Sequence, residues 1–181
     1  VRAARVKLGT DKIIVLPANI PPHKQGKNLA SPQDRLNMAK LAFAGIPGCE
    51  VSSYELNAGG TSYTCRTLTH FRQKYPDATL YWLVGADMLK DFPTWKDPES
   101  ILSMAELVAC SREGEHVNFK AEQLRFFAKY RKGFRVLEFT GRDISSTKAR
   151  VLAAFGEDLK PYLLRTSSPI SRQTDCTAWS A

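Results

Sequence analysis

Histidine, cysteine and long apolar runs are all scarce in this chain, and each shortage narrows what it can be. Four cysteines, Cys49, Cys65, Cys110 and Cys176, lie far apart. They form no CxxC pair and have no histidine at zinc-ligand spacing, so they read as buried or incidental thiols rather than a metal module. No apolar run is long enough to cross a bilayer, and the basic start from Val1 to Lys7 is not followed by a signal-peptide core. A reducing cytoplasm is the expected compartment, with no membrane partner.

What is present is enough for a folded domain. The 181 residues are 43% hydrophobic and 24% charged, which permits a real core and argues against disorder. A net charge of +8 should attract anions: nucleotide phosphates, nucleic acid or an acidic membrane face. Val1 to Leu8 reads as the last turns of a helix. Short β-branched or apolar runs recur at Lys12–Leu16, Glu50–Ser53, Thr79–Val84, Glu106–Ala109 and Phe134–Phe139, with stretches between them long enough for helices. That alternation predicts an α/β fold with a parallel sheet flanked by helices. Ser31 and Pro32 signal a helix over Asp34–Ala44, and Leu68, Phe71 and Tyr75 share a face over Thr64–Tyr75 before Pro76 breaks the run. The most apolar segment, Leu80 to Val84, is expected to be a central strand buried on both faces. Ser145 or Ser146 can cap a last helix whose apolar positions are Val151, Leu152 and Phe155, with Gly156 as its stop.

Five turns carry polar chemistry at the ends of these elements. Pro17-Ala18-Asn19-Ile20-Pro21-Pro22-His23-Lys24 leaves a strand as a Pro-stiffened loop with an amide, an imidazole and a cation, where open α/β sheets gather ligands. A solvated surface turn is the plainer reading. Gly59-Gly60-Thr61-Ser62-Tyr63-Thr64 puts glycines and hydroxyls before a helix, whose free N–H groups can receive a carboxylate or phosphate, or whose end is simply capped by Ser62 or Thr64. Gly85-Ala86-Asp87 follows the apolar strand. Gly85 permits close backbone approach, and Asp87 can bind a ribose hydroxyl or a metal-associated water, or merely cap a turn. Phe92-Pro93-Thr94-Trp95 offers an aromatic plane for a flat heterocycle, though packing is the commoner use of such a tryptophan. In Ile144-Ser145-Ser146-Thr147-Lys148-Ala149-Arg150, hydroxyls, a helix N-terminus and two cations converge, which suits a polyphosphate better than a simple cap does.

Taken in order, PANIPPHK, SYT, LVGAD, FPTW, CSREG and ISSTKAR resemble the nicotinate-nucleotide adenylyltransferases over about Val1 to Leu163. Related pantetheine-phosphate and cytidylyl transferases share the ISST-type helix, whereas PPHK, SYT and FPTW together are similar to the nicotinate branch. The resemblance implies a Rossmann-like nucleotidyltransferase domain over 1–163. It further implies attack by the phosphate of nicotinate mononucleotide on the α-phosphorus of ATP, with Mg2+ carried by the ATP and no metal site of the protein's own. It places Asn19, His23, Lys24, Ser62, Tyr63, Thr64, Trp95 and Lys96 around the mononucleotide, with Trp95 beside the pyridine ring and the N–H groups of Thr64 and Lys96 on its carboxylate. It places Gly85, Asp87, Arg112, Ser145, Ser146, Thr147 and Arg150 around ATP.

Two departures from the family pattern accompany the resemblance. The family's opening strand and Gly-x-Phe-Asp-Pro-x-His-x-Gly-His loop have no counterpart here, and His23, His70 and His116 lack the spacing to replace its histidines. The resemblance therefore implies a lost segment upstream of Val1, and a chain without it is expected to be poorly stable and catalytically impaired. At the other end, Leu163 is followed by Leu164-Arg165-Thr166-Ser167 instead of the family's Leu-Pro-x-x-Val-x-x-Tyr-Ile, so 164–181 reads as an atypical, loosely packed tail. The rival functions are another nucleotidyltransferase of this fold, a non-catalytic remnant, and a basic binding module. No nucleic-acid partner is expected, because the cations are dispersed and no RNA- or DNA-binding signature occurs. Codons can be chosen for Leu164–Ala181 whose other reading frame encodes PDVVAYISPNRLYGLVG, which predicts a frameshift. Sequencing the DNA checks it: skipping one or two bases after the codon for Leu163 should restore that ending, and a gene in which no frame does so refutes it.

Overall fold

A parallel strand pair needs a crossover, and the stretches between the apolar runs are long enough to supply helical ones. In the computed structural model, which describes residues 1–22, 29–112, 117–139, 151–152 and 154–156, every named strand pair is parallel. β1 (Ile13–Val15) pairs with β2 (Cys49–Val51) in one sheet. β3 (Tyr81–Gly85), β4 (Glu106–Arg112) and β5 (Arg135–Phe139) form a second, in that order. The helices are α1 (Arg2–Leu8), α2 (Pro32–Phe43), α3 (Tyr54–Ala58), α4 (Thr64–Lys74), α5 (Pro98–Met104) and α6 (Phe119–Tyr130). The α/β class expected from the alternation is the one found.

The helix boundaries follow from local chemistry. Ser31 caps α2 by accepting from the Asp34 N–H at 3.0 Å, and Pro32 takes the first helical position, where its missing N–H costs nothing. Asp97 does the same for α5, accepting from Ser100 N–H at 3.2 Å ahead of Pro98. Asn118 caps α6 through the Ala121 N–H at 3.1 Å. Pro76 follows the end of α4 at Tyr75.

The chain divides into two compact units, one containing Gly9–Thr61 and the other Arg2–Leu8 with the described part of Ser62–Gly141. In the first, β1 and β2 are in register from Ile13 opposite Cys49 to Val15 opposite Val51, and Ser52 N–H extends the ladder to Val15 O at 2.9 Å. In the second, the core is built on β4, where Leu107, Val108 and Ala109 are at most 1% exposed. Leu68 of α4, Ile101 and Leu102 of α5, and Phe126 of α6 close over it with Phe92 and Phe134. Phe126 lies 5.3 Å from both the Phe92 and Phe134 rings.

One expectation about this sheet is overturned. The most apolar run, β3, is an edge of its three-stranded sheet and Leu83 is 39% exposed; the doubly buried centre is β4. Apolar content shows that a strand can be buried, while position in a sheet is set by the crossovers, which composition does not record. β4 also runs three residues beyond the expected Ala109, to Arg112. Near the end, Gly156 has φ +71°, as its stop role requires, and Val151 and Phe155 are exposed. The expected tail 164–181 lies outside the described residues. Exchanging centre and edge has a measurable consequence: Leu107→Ala should cost about 2–5 kcal/mol of unfolding free energy. Leu83→Ala should cost about 1 kcal/mol or less. Urea unfolding of the two variants reads the difference, and equal losses would contradict the assignment of β4 as the buried centre.

Candidate active site

In the first unit, the segment after β1 is held by an arginine that the sequence reading did not single out. Arg35, half-buried on α2, donates from Nη1 to Ala18 O, from Nη2 to Asn19 O at 2.7 Å and from Nε to Ala30 O at 3.0 Å. Burial lowers its pKa from the ordinary arginine value. The Asn19 side chain in turn donates from Nδ2 to Gly60 O at 2.9 Å, and Ile20 bridges Thr61 in parallel fashion. Gly59 and Gly60 both have positive φ, 65° and 64°, a conformation that a side chain would strain at each position. Two of the predicted turns, the PANIPP loop and the Gly59-Gly60 turn, are thus joined, and the second runs directly into Ser62.

In the second unit, SYT and FPTW come together. Lys96 places Nζ 4.6 Å from the centre of the Tyr63 ring, a cation–π contact between residues widely separated in sequence. Trp95 is half-buried with its ring 5.3 Å from Phe92, which is itself 1% exposed and supported by Phe126 and Tyr130. Phe92 is a second residue whose position matters here, since it fixes the plane on which Trp95 rests. The capping alternative for the SYT segment is not what forms: Tyr63, not Ser62 or Thr64, is the N-cap of α4, and it makes no side-chain cap bond. The first turn of α4 also contains no acidic residue. Its positive end therefore has no resident anion in that turn, which suits a carboxylate or phosphate.

At the carboxyl edge of the second sheet, Gly85 ends β3 opposite Cys110 of β4, and Ala86–Leu89 makes a 3-10 turn carrying Asp87 outward. The Asp87 carboxylate folds back over Gly85 so closely that a Cβ there would overlap Oδ1. Arg112 is the last residue of β4, so its backbone lies two positions beyond Cys110 on the same edge; its side chain lies outside the described residues. Burial raises the Cys110 pKa, which makes it a poor thiolate nucleophile at neutral pH. His23, Lys24, Ser145, Ser146, Thr147 and Arg150 lie outside the described residues. Among the described residues no group of three or more His, Cys, Asp or Glu side chains is assembled for a metal ion, and no helix is long and apolar enough to cross a membrane.

Known proteins resemble the chain over most of its length. The model of the cytidylyltransferase-like family matches residues 1–152. The "Probable nicotinate-nucleotide adenylyltransferase" of Clostridium tetani is 37% identical over 160 residues, which cover 87% of this chain and 79% of the relative. The protein of the same name from Desulfitobacterium hafniense strain Y51 is 33% identical over 165 residues, 91% of this chain and 79% of the relative. That of Roseiflexus sp. is 37% identical over 156 residues, 86% and 77%. Among solved structures, Plasmodium falciparum nicotinic acid mononucleotide adenylyltransferase complexed with NaAD superposes with a TM-score of 0.72, covering 97% of this chain and 90% of that one. At 15% identity that likeness is one of fold.

The packing of Asp87 on Gly85 gives a direct test of this edge. Gly85→Ala should swing the carboxylate away from the strand end, because the acidic side chain is exposed and free to rotate, at a cost within about 1 kcal/mol. A crystal structure of the variant with a thermal melt checks both halves. An unmoved Asp87 rotamer would contradict the contact.

Proposed function

Because the chain belongs to the nicotinate-nucleotide adenylyltransferase family, we propose that it transfers the adenylyl group of ATP to nicotinate mononucleotide. The products are nicotinate adenine dinucleotide and pyrophosphate, a step of NAD synthesis. A phosphate oxygen of the mononucleotide attacks the α-phosphorus, and the bond from that phosphorus to the pyrophosphate oxygen breaks. No covalent enzyme intermediate is needed. The protein's contribution is to hold two polyanions in line and neutralise the charge that develops. Magnesium enters with the substrate as its ATP complex. The nucleotidyltransferase domain is assigned to residues 1–163, and the enzyme to the cytoplasm.

The observation that carries this reading is the approach of Lys96 to Tyr63, 4.6 Å from ammonium to ring, which brings the SYT and FPTW turns together in one unit. To the mononucleotide the family resemblance assigns Asn19, His23, Lys24, Ser62, Tyr63, Thr64, Trp95 and Lys96. The pyridine ring stacks on Trp95, and its carboxylate meets the N–H groups of Thr64 and Lys96. The acid-free first turn of α4 supports that placement, since a neutral carboxamide would gain far less from the helix dipole than a carboxylate. ATP is assigned Gly85, Asp87, Arg112, Ser145, Ser146, Thr147 and Arg150.

Calorimetry and turnover with three acceptors test the substrate. Nicotinate mononucleotide should bind and release pyrophosphate in the presence of Mg-ATP, and nicotinamide mononucleotide and phosphopantetheine should do so poorly. Trp95→Ala should raise KM for nicotinate mononucleotide about tenfold, the loss expected when a stacked aromatic face is removed, with the KM for ATP little changed. Preference for phosphopantetheine would transfer the chain to another branch of the fold.

A further inference from the structure

Arg35 stands apart from the residues given roles above, yet two of its three donor groups are directed at the chain around Asn19. Nη1 and Nη2 hold two successive carbonyls, Ala18 O and Asn19 O, and Nε holds Ala30 O at 3.0 Å, so one planar group ties the segment before residues 23–28 and the segment after them to α2. Only a guanidinium has the fork to do this. A lysine ammonium on its flexible stem cannot present the same rigid, coplanar set of donors to the three carbonyls. The Asn19 residue is then fixed twice, by its own carbonyl on Arg35 and by its side-chain Nδ2 on Gly60 O at 2.9 Å. Ile20 continues the same chain direction into its bridge with Thr61, directly before Ser62. A guanidinium spent in this way leaves little directional capacity for a phosphate.

We propose that Arg35 is a positioning residue for the mononucleotide half of the site: clasping the carbonyls of Ala18 and Asn19, it sets the orientation of the Asn19 amide and acts on substrate through that amide. This rests on the assignment of Asn19 to the mononucleotide. Arg35 touches no reacting atom. Its removal frees the main chain at Asn19 and lets the amide leave the direction in which the Gly59-Gly60 turn holds it, and a misplacement of this size costs about tenfold to a hundredfold in substrate use. The effect belongs to one substrate only, because the amide that Arg35 orients is assigned to the mononucleotide.

Steady-state kinetics of Arg35→Gln, Arg35→Lys, Asn19→Ala and the Arg35→Gln/Asn19→Ala double variant test the clasp. Arg35→Gln should raise KM for nicotinate mononucleotide about tenfold, leave KM for ATP within about twofold, and be partly rescued by Arg35→Lys. The double variant should be no worse than Asn19→Ala alone, since Arg35 has nothing to act through once the amide is gone. Losses that multiply in the double variant, or KM values for both substrates rising together, overturn the proposal. Hydrogen exchange on the substrate-free protein gives a readout that does not depend on turnover. Peptides covering 17–22 and 59–62 should exchange faster in Arg35→Gln while those covering 81–85 and 106–110 are unchanged. No change in the first pair refutes the clasp. A wild-type protein that does not use nicotinate mononucleotide refutes the proposed activity and the substrate role of Arg35 with it, while the exchange result still reports separately on the clasp.

Discussion

Parallel pairing of β4 with both its neighbours is the constraint from which the geometry of the second unit follows. Leu107 and Ala109 lie in the core that α4, α5 and α6 build over one face of the sheet, and Val108 between them, directed to the other face, is 0% exposed. Parallel direction then sends the ends of β3 and β4 to one edge, so Gly85, Asp87 and the backbone of Arg112 are gathered there by topology. The aromatic cluster adds the remaining element. Phe126 packs on Phe92, Phe92 on Trp95, and the loop that carries Lys96 is thereby set against Tyr63. A buried ring deep in the unit thus determines the position of an exposed cation.

Electrostatics at this edge comes from backbone as much as from side chains. The first turn of α4 has no acid and its N-cap Tyr63 makes no side-chain cap bond, so the positive end of the helix dipole favours an anion there. By contrast, α5 and α6 are capped by Asp97 and Asn118 at their own starts.

Much of this was legible in the sequence wherever local chemistry dictates local geometry. Ser31-Pro32 marked the start of α2 and Pro76 the end of α4, because a cap and a missing N–H act within a few residues. The turns that carry Asn19, Ser62–Thr64, Gly85, Asp87 and Trp95 were recognisable for the same reason. What stayed hidden is long-range. The Lys96–Tyr63 contact leaves no periodic trace, and a single arginine on a helix with mixed apolar content looks like a solvated cation, so Arg35 passed unremarked. The edge position of β3 was hidden as well, since neither its composition nor its length distinguishes an edge from a centre.

The same hidden contacts change the meaning of the net charge. A balance of +8 invites a nucleic-acid reading, but several cations are engaged inside the protein as donors to main-chain carbonyls. Arg35 takes Ala18 O, Asn19 O and Ala30 O. Arg72 takes Pro76 O at 3.2 Å, Ala78 O at 2.7 Å and Met104 O; Lys132 takes Leu102 O at 2.7 Å, and Lys7 takes Glu138 O. Carbonyls at the ends of helices and strands lack ladder partners, and a long cationic side chain satisfies them while its stem covers apolar surface. Lys12, Arg125 and Arg135 are further matched with Glu50, Glu122 and Glu106. Such exposed pairs contribute about 0–1 kcal/mol each. Cations held on carbonyls in this way serve the fold, so the net charge by itself does not identify a polyanionic partner.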